Sequence, residues 1–79
     1  MSRITDETAE FSGQIHRIVV RRDGRRFWLD PAFLYALEHH TKPDLVARLM
    51  ERFDASRDEA EQLPELLRRA GLIETEGDA

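Results

Sequence analysis

The sequence predicts an α+β fold in which an N-terminal antiparallel β-hairpin, or three short strands, precedes three helices. Two changes of pattern predict it. Between Gln14 and Asp30, two β-rich runs flank Asp23-Gly24, a dipeptide favoured in two-residue hairpin turns. Beyond Leu29 the apolar spacing lengthens from two residues to about 3.6, the period of an α-helix.

Length and composition indicate one small domain. The chain has 79 residues, of which 41% are hydrophobic and 35% charged, ordinary values for a folded protein. We expect one domain over residues 13–74, preceded by a flexible arm or short first strand (1–12) and followed by a polar tail (75–79). With no cysteine, the core depends on packing alone. No apolar run is long enough to span a membrane and the polar start is unlike a secretion signal, so we expect a cytoplasmic protein without a membrane partner.

The net charge of −4 conceals an uneven distribution. Residues 1–13 carry one base against three acids, residues 14–28 five against one, and residues 29–79 six against twelve. The basic residues of the positive stretch are Arg17, Arg21, Arg22, Arg25 and Arg26. A positive patch on an acidic body favours a peptide or protein partner over broad coverage of DNA, although arginines that only solvate a strand pair give the same pattern.

A two-residue loop at Asp23-Gly24 predicts the register of the hairpin. The expected facing pairs are Arg22 with Arg25, Val20 with Phe27, Val19 with Trp28 and Ile18 with Leu29. Alternation then assigns Ile18, Val20, Phe27 and Leu29 to the core face, and Arg17, Val19, Arg21, Arg26 and Trp28 to the other face. Trp28 is either part of a binding surface or covered by residues 1–12 or a helix.

The helix boundaries are predicted by capping residues. Asp30-Pro31 starts a helix that runs to about His40, and residues 41–44 start a second one with Pro43 in its first turn. Residues 56–59 fit a capping box for a third helix, and Gly71 ends it in a Schellman-type motif. Pro64 lies inside the third helix, where we expect a bend or a restart.

The sequence lacks the residue patterns that are typical of a catalytic or metal-binding site. The three histidines, His16, His39 and His40, lack metal-ligand spacing, and no cysteine completes a set. There is no Gly-rich phosphate loop, and no serine has a base placed beside it by the sequence. We therefore expect a protein that is not an enzyme and has no catalytic residues, metal or cofactor.

One family resemblance follows from the order of these segments. The chain contains Arg26-Phe27-Trp28-Leu29-Asp30-Pro31, a short helix, the run from Asp44 to Phe53, and a last helix that ends in Ala70-Gly71-Leu72-Ile73. Over residues 14–74 it resembles the PqqD-like family, the peptide-recognition elements of pathways that modify ribosomally made peptides. Members typically have an aromatic strand ending in Leu-Asn or Leu-Asp, a helix reading L-V-x-x-L-x-x-x-F, and a final G-L-I.

The resemblance implies a winged-helix-like peptide chaperone that captures the leader of a precursor peptide and presents it to a modifying enzyme. The leader would add as a strand to the last strand of the hairpin, beside the third helix. The implied peptide-binding residues are Arg25, Arg26, Phe27, Trp28 and Leu29 on the strand, and Leu63, Leu66, Leu67 and Arg68 on the helix. Such a module acts as a monomer or weak dimer. The chain departs from the family pattern at two points: the strand before Gln14 is poorly marked, and Pro64 interrupts the third helix.

Two other functions remain open. A ribbon-helix-helix DNA-binding regulator also places a basic strand before helices, but it pairs its strands between two chains. The Asp23-Gly24 turn, the third helix and the acidic helical part make nucleic acid the less favoured partner. The other alternative is a different adaptor or regulatory interaction.

Overall fold

The computed structural model describes residues 2–73 as a three-stranded antiparallel sheet followed by three helices, which confirms the predicted α+β fold. The elements are β1 (Arg3–Phe11), β2 (Gln14–Val20), β3 (Arg26–Leu29), α1 (Pro31–Glu38), α2 (Leu45–Phe53) and α3 (Arg57–Arg69). Most of residues 1–12 thus form a strand rather than an arm. The predicted tail, residues 75–79, lies outside the described residues.

The sheet has the order β1-β2-β3. β1 and β2 are joined at Ser12-Gly13, where both residues have positive φ, +53° and +80°, as a two-residue type I′ turn requires. The β1–β2 register shifts between Ile4 and Thr8, which marks a bulge. No helix within the described part of the chain is long and apolar enough to cross a membrane.

The predicted register of the β2–β3 hairpin is wrong by one residue. The Arg21 N–H donates to the Arg25 carbonyl and the Gly24 N–H to the Arg21 carbonyl, both at 2.8 Å, so the loop has three residues instead of two. Gly24 has a φ of +91° but Asp23 does not have a positive φ. A type I turn followed by a left-handed glycine therefore forms here, because the Asp23 carboxylate accepts hydrogen bonds from the Arg21 side chain and the Arg25 N–H in that geometry.

This shift of one residue changes the face of β2 that meets the helices. The observed pairs are Arg17 with Leu29, Ile18 with Trp28, Val19 with Phe27, and Val20 with Arg26. Residues directly opposite each other share a face, so Val19 joins Phe27 and Leu29 on the helix-facing side and is fully buried. Ile18 and Val20, which were predicted for the core face, therefore lie on the outer face with Arg26 and Trp28. Arg17, Val19 and Arg21, which were predicted for the outer face, lie on the helix-facing side.

Helix α1 begins as predicted, whereas α2 does not. Asp30 caps α1 by accepting from the Phe33 N–H at 2.9 Å, but α1 ends at Glu38, two residues before the predicted end at His40. α2 begins at Leu45, so Pro43 lies before the helix and not in its first turn. The Asp44 side chain makes no capping bond and instead contacts Arg48 Nε at 2.7 Å.

Helix α3 has both predicted ends. Ser56 and Glu59 form the reciprocal capping box. At the other end, Gly71 has a φ of +76°, its N–H donates to the Arg68 carbonyl and the Leu72 N–H to the Leu67 carbonyl, which is the Schellman motif. The helix continues through Pro64, so a restart there is wrong. The Pro64 ring is buried, and its packing offsets the missing hydrogen bond.

The core lies between the helices and one face of the sheet. α1 contacts β2 and β3, and α3 packs on α1 and α2. The buried apolar cluster consists of Val19, Leu29, Ala36, Leu37, Leu45, Leu49, Ala60, Leu67, Leu72 and Ile73. Because all three helices use the same side of the structure, the outer face of the sheet and the free side of β3 are left without a helix.

Candidate functional site

The free side of β3 is the first part of the candidate site. β3 is the last strand of the sheet, and no other strand of residues 2–73 pairs with it. Because Arg21 bonds to Arg25, the alternation of an antiparallel ladder directs the backbone N–H and C=O of Arg26 and Trp28 away from β2. We call these outward backbone groups the β3 edge; they are able to pair with an added strand.

Two features relate helix α3 to the ends of β3. In the first half of α3, Glu59 and Leu63 line a cavity of about 340 Å³ together with Asp30 and Pro31, which follow β3. Near the end of α3, the Arg21 guanidinium donates to the Ala70 carbonyl at 2.7 Å and lies 5.4 Å from the centre of the Phe27 ring. These contacts place the first half of α3 near the end of β3 and the last turn of α3 near the hairpin.

Helix α3 also has an apolar flank. Leu63 and Ala70 are partly buried against the core, and Leu66 is 43% exposed. At about 100° per residue, these three side chains lie on one flank of the helix, beside the buried stripe formed by Ala60, Pro64 and Leu67. We call the space between the β3 edge and this flank the β3–α3 groove.

Two residues of the predicted helix wall lie elsewhere. Leu67 is 1% exposed and belongs to the core, so it is not accessible to a peptide. Arg68 is five residues from Leu63, which places it about 140° around the helix, away from the flank that carries Leu66. Its guanidinium contacts Glu65 at 3.3 Å. The structure therefore brings Leu63 and Leu66 together and separates Arg68 from them.

The strand residues of the predicted site are divided between the two faces of the sheet. Phe27 and Leu29 point toward the helices, where Leu29 is buried. Trp28 points outward and is 49% exposed, with its ring centre 5.1 Å from that of Phe11 in an edge-on arrangement. Phe11, itself 45% exposed, is absent from the sequence-based site because the strand that carries it was weakly marked.

The arginines differ in whether they already have partners. Arg21 pairs with Asp23 at 2.7 Å, and Arg26 pairs with Glu7 at 2.8 Å on the outer face. The hydrogen bond from Arg21, followed by the Arg25 N–H, lowers the pKa of Asp23 far below its usual range. Among residues 2–73, Arg22 and Arg25 are exposed and form no ion pair. These two charges are available to a partner.

No group of three or more histidine, aspartate or glutamate side chains within residues 2–73 could hold a metal ion. Comparisons of the chain with protein-family models, curated proteins and solved structures found no match.

Proposed function

We propose that this protein is a non-catalytic peptide-binding module that captures the leader of a ribosomally made precursor peptide and presents it to a modifying enzyme. The observation that carries the proposal is the free β3 edge beside an apolar flank of α3. An extended peptide that pairs with Arg26 and Trp28 through its backbone would direct alternate side chains toward Leu63 and Leu66. The proposal places this activity in the cytoplasm.

The charges beside the groove support the same function. Arg22 and Arg25 lie at the hairpin end and have no described ion-pair partner, so they attract an acidic segment of a peptide. Exposed charges of this kind raise the rate of encounter more than the final affinity. Main-chain pairing and the apolar contacts would supply most of the binding free energy.

The DNA-binding alternative receives less support from the fold. A ribbon-helix-helix protein forms its DNA-contacting ribbon from strands of two chains, whereas β1, β2 and β3 pair within one chain. Arg17, one of the residues that such a ribbon would use, directs Nη1 to the Thr5 carbonyl at 3.0 Å. We therefore favour the peptide over DNA as the partner.

The test uses two substitutions at one position. Arg26→Pro removes an N–H that points to the free side of β3, where proline is tolerated. Arg26→Ala loses the same contact with Glu7 but keeps the N–H. The proposal expects a gene for a short precursor peptide beside the gene for this chain; the probe is the synthetic leader of that precursor, and binding is measured by calorimetry.

We expect Arg26→Pro to weaken binding of the leader at least about tenfold, because a main-chain hydrogen bond is lost and the ring blocks the edge. Arg26→Ala should stay within about threefold of the parent. Urea unfolding of both variants controls for the fold. Equal binding by the parent and a folded Arg26→Pro variant would exclude strand addition at β3, and no binding of the leader to the parent would exclude the function.

A further inference from the structure

The β3–α3 groove has a positive end at the hairpin. Arg25 is exposed and precedes β3 directly. Since it pairs with Arg21 across the turn, it lies on the helix-facing side of the sheet, the side on which Arg21 reaches Ala70. The carboxylate of Asp23 is already held by Arg21, so it leaves the charge of Arg25 largely uncompensated.

The opposite end of the groove is negative. Asp30, Asp54 and Glu59 line the cavity of about 340 Å³ that also contains Leu63, and none of its lining residues is basic. Asp30 and Glu59 act at the starts of α1 and α3, where each helix dipole offsets about half a charge. About two negative charges therefore remain. The Ser56 backbone N–H lowers the pKa of Glu59, so this carboxylate stays ionised at neutral pH.

We propose that the groove selects peptides by the order of their charges: basic residues first, then an apolar extended core, then acidic residues. This inference rests on the proposed function. An added strand that continues the antiparallel sheet has its N-terminus near Asp30 and its C-terminus near Arg25. The five steps from Arg25 to Asp30 span about 17 Å, so about five core residues separate the two charged ends.

The test uses two synthetic peptides that differ only in charge order. Both carry the five-residue palindromic core Leu-Thr-Val-Thr-Leu with blocked termini. The first has two lysines before the core and two glutamates after it, and the second has the glutamates first. We expect the lysine-first peptide to bind at least about fivefold more tightly in low salt, with the difference reduced in 1 M salt.

Variants test how much each end of the groove contributes to the preference for the lysine-first peptide. Arg25→Glu reverses the charge at the hairpin end, and Lys42→Glu, an exposed position between α1 and α2, makes the same change in net charge elsewhere. At the other end, Asp54→Asn with Glu59→Gln removes two charges. Asparagine tolerates the left-handed backbone of Asp54, whose φ is +53°, and glutamine keeps a capping-box side chain at position 59. We expect Arg25→Glu and the double variant each to reduce the preference to less than about twofold, and Lys42→Glu to leave it unchanged.

The results separate this inference from the proposed function. Equal binding of both peptides, or tighter binding of the glutamate-first peptide, overturns the charge order while strand addition stands. Failure of both peptides to bind a parent protein that binds the leader also overturns the charge order, because charge order then does not govern selection. If the leader peptide does not bind the parent protein, the proposed function is excluded.

Discussion

The guanidinium of Arg21 donates to the main-chain carbonyl of Ala70, 2.7 Å away and 49 positions later in the chain. This bond joins the β2–β3 hairpin to the last turn of α3, where helix carbonyls lack partners within the helix. It lies at the hairpin end of the β3–α3 groove.

Replacing Arg21 tests this connection. We expect Arg21→Ala to lower the free energy of unfolding by about 1–3 kcal/mol, because the Ala70 carbonyl loses its donor and the contact with Phe27 is lost. Arg22→Ala, one residue away and exposed, should change it by less than about 0.5 kcal/mol. Urea denaturation followed by circular dichroism measures both. Equal effects of the two substitutions would contradict this role of Arg21.

Gly71 is crowded by the same side chain. A Cβ at Gly71 would lie 3.3 Å from Arg21 Cδ, whereas one at Gly24 would meet nothing within 4 Å. Both glycines have positive φ, so alanine at either position costs about 1 kcal/mol from the backbone. We expect Gly71→Ala to cost more than Gly24→Ala, and the excess to disappear when Arg21 is also alanine. Thermal unfolding of the double-mutant cycle decides this; additive effects would be evidence against the crowding.

Leu49 tests the assignment of the core. Its side chain is fully buried, whereas Leu66 is 43% exposed. We expect Leu49→Ala to cost about 2–5 kcal/mol, enough to unfold much of so small a domain. Leu66→Ala should cost less than about 1 kcal/mol and instead weaken binding of the leader. An unfolding midpoint for Leu49→Ala equal to that of the parent would refute this assignment.

The lowered pKa of Asp23 predicts a dependence of stability on pH. A carboxyl whose pKa is lower in the folded chain than in the unfolded one stabilises the fold above its unfolded pKa, about 3.9, and this contribution is lost as the pH falls toward the folded pKa. We expect Asp23→Asn to be less stable than the parent at pH 7, and the gap to shrink below about pH 4. Urea unfolding at pH 7 and pH 3 measures it. A gap that is constant with pH would show that the charge of Asp23 is not the cause.

Much of the candidate site could be predicted from short stretches of sequence. The position of the turn between β2 and β3, the face of the sheet that carries Trp28 and the apolar side of α3 are visible as local patterns, whereas the exposure of Trp28 is not. Helical spacing alone places Arg68 about 140° from Leu63. Only the packing of α3 shows how completely Leu67 is buried, and therefore that it is not accessible to a peptide.

What the sequence determined by itself is the order of the elements, the start of α1 and both ends of α3. Asp30, Ser56, Glu59 and Gly71 act on backbone groups within five residues, so their effects need no tertiary contact. The extent of β1 and the register of β2 against β3 depended on the tertiary structure. A shift of one residue reverses the faces of a strand, and here the choice follows from Asp23 binding Arg21 and from burial of Val19 under the helices.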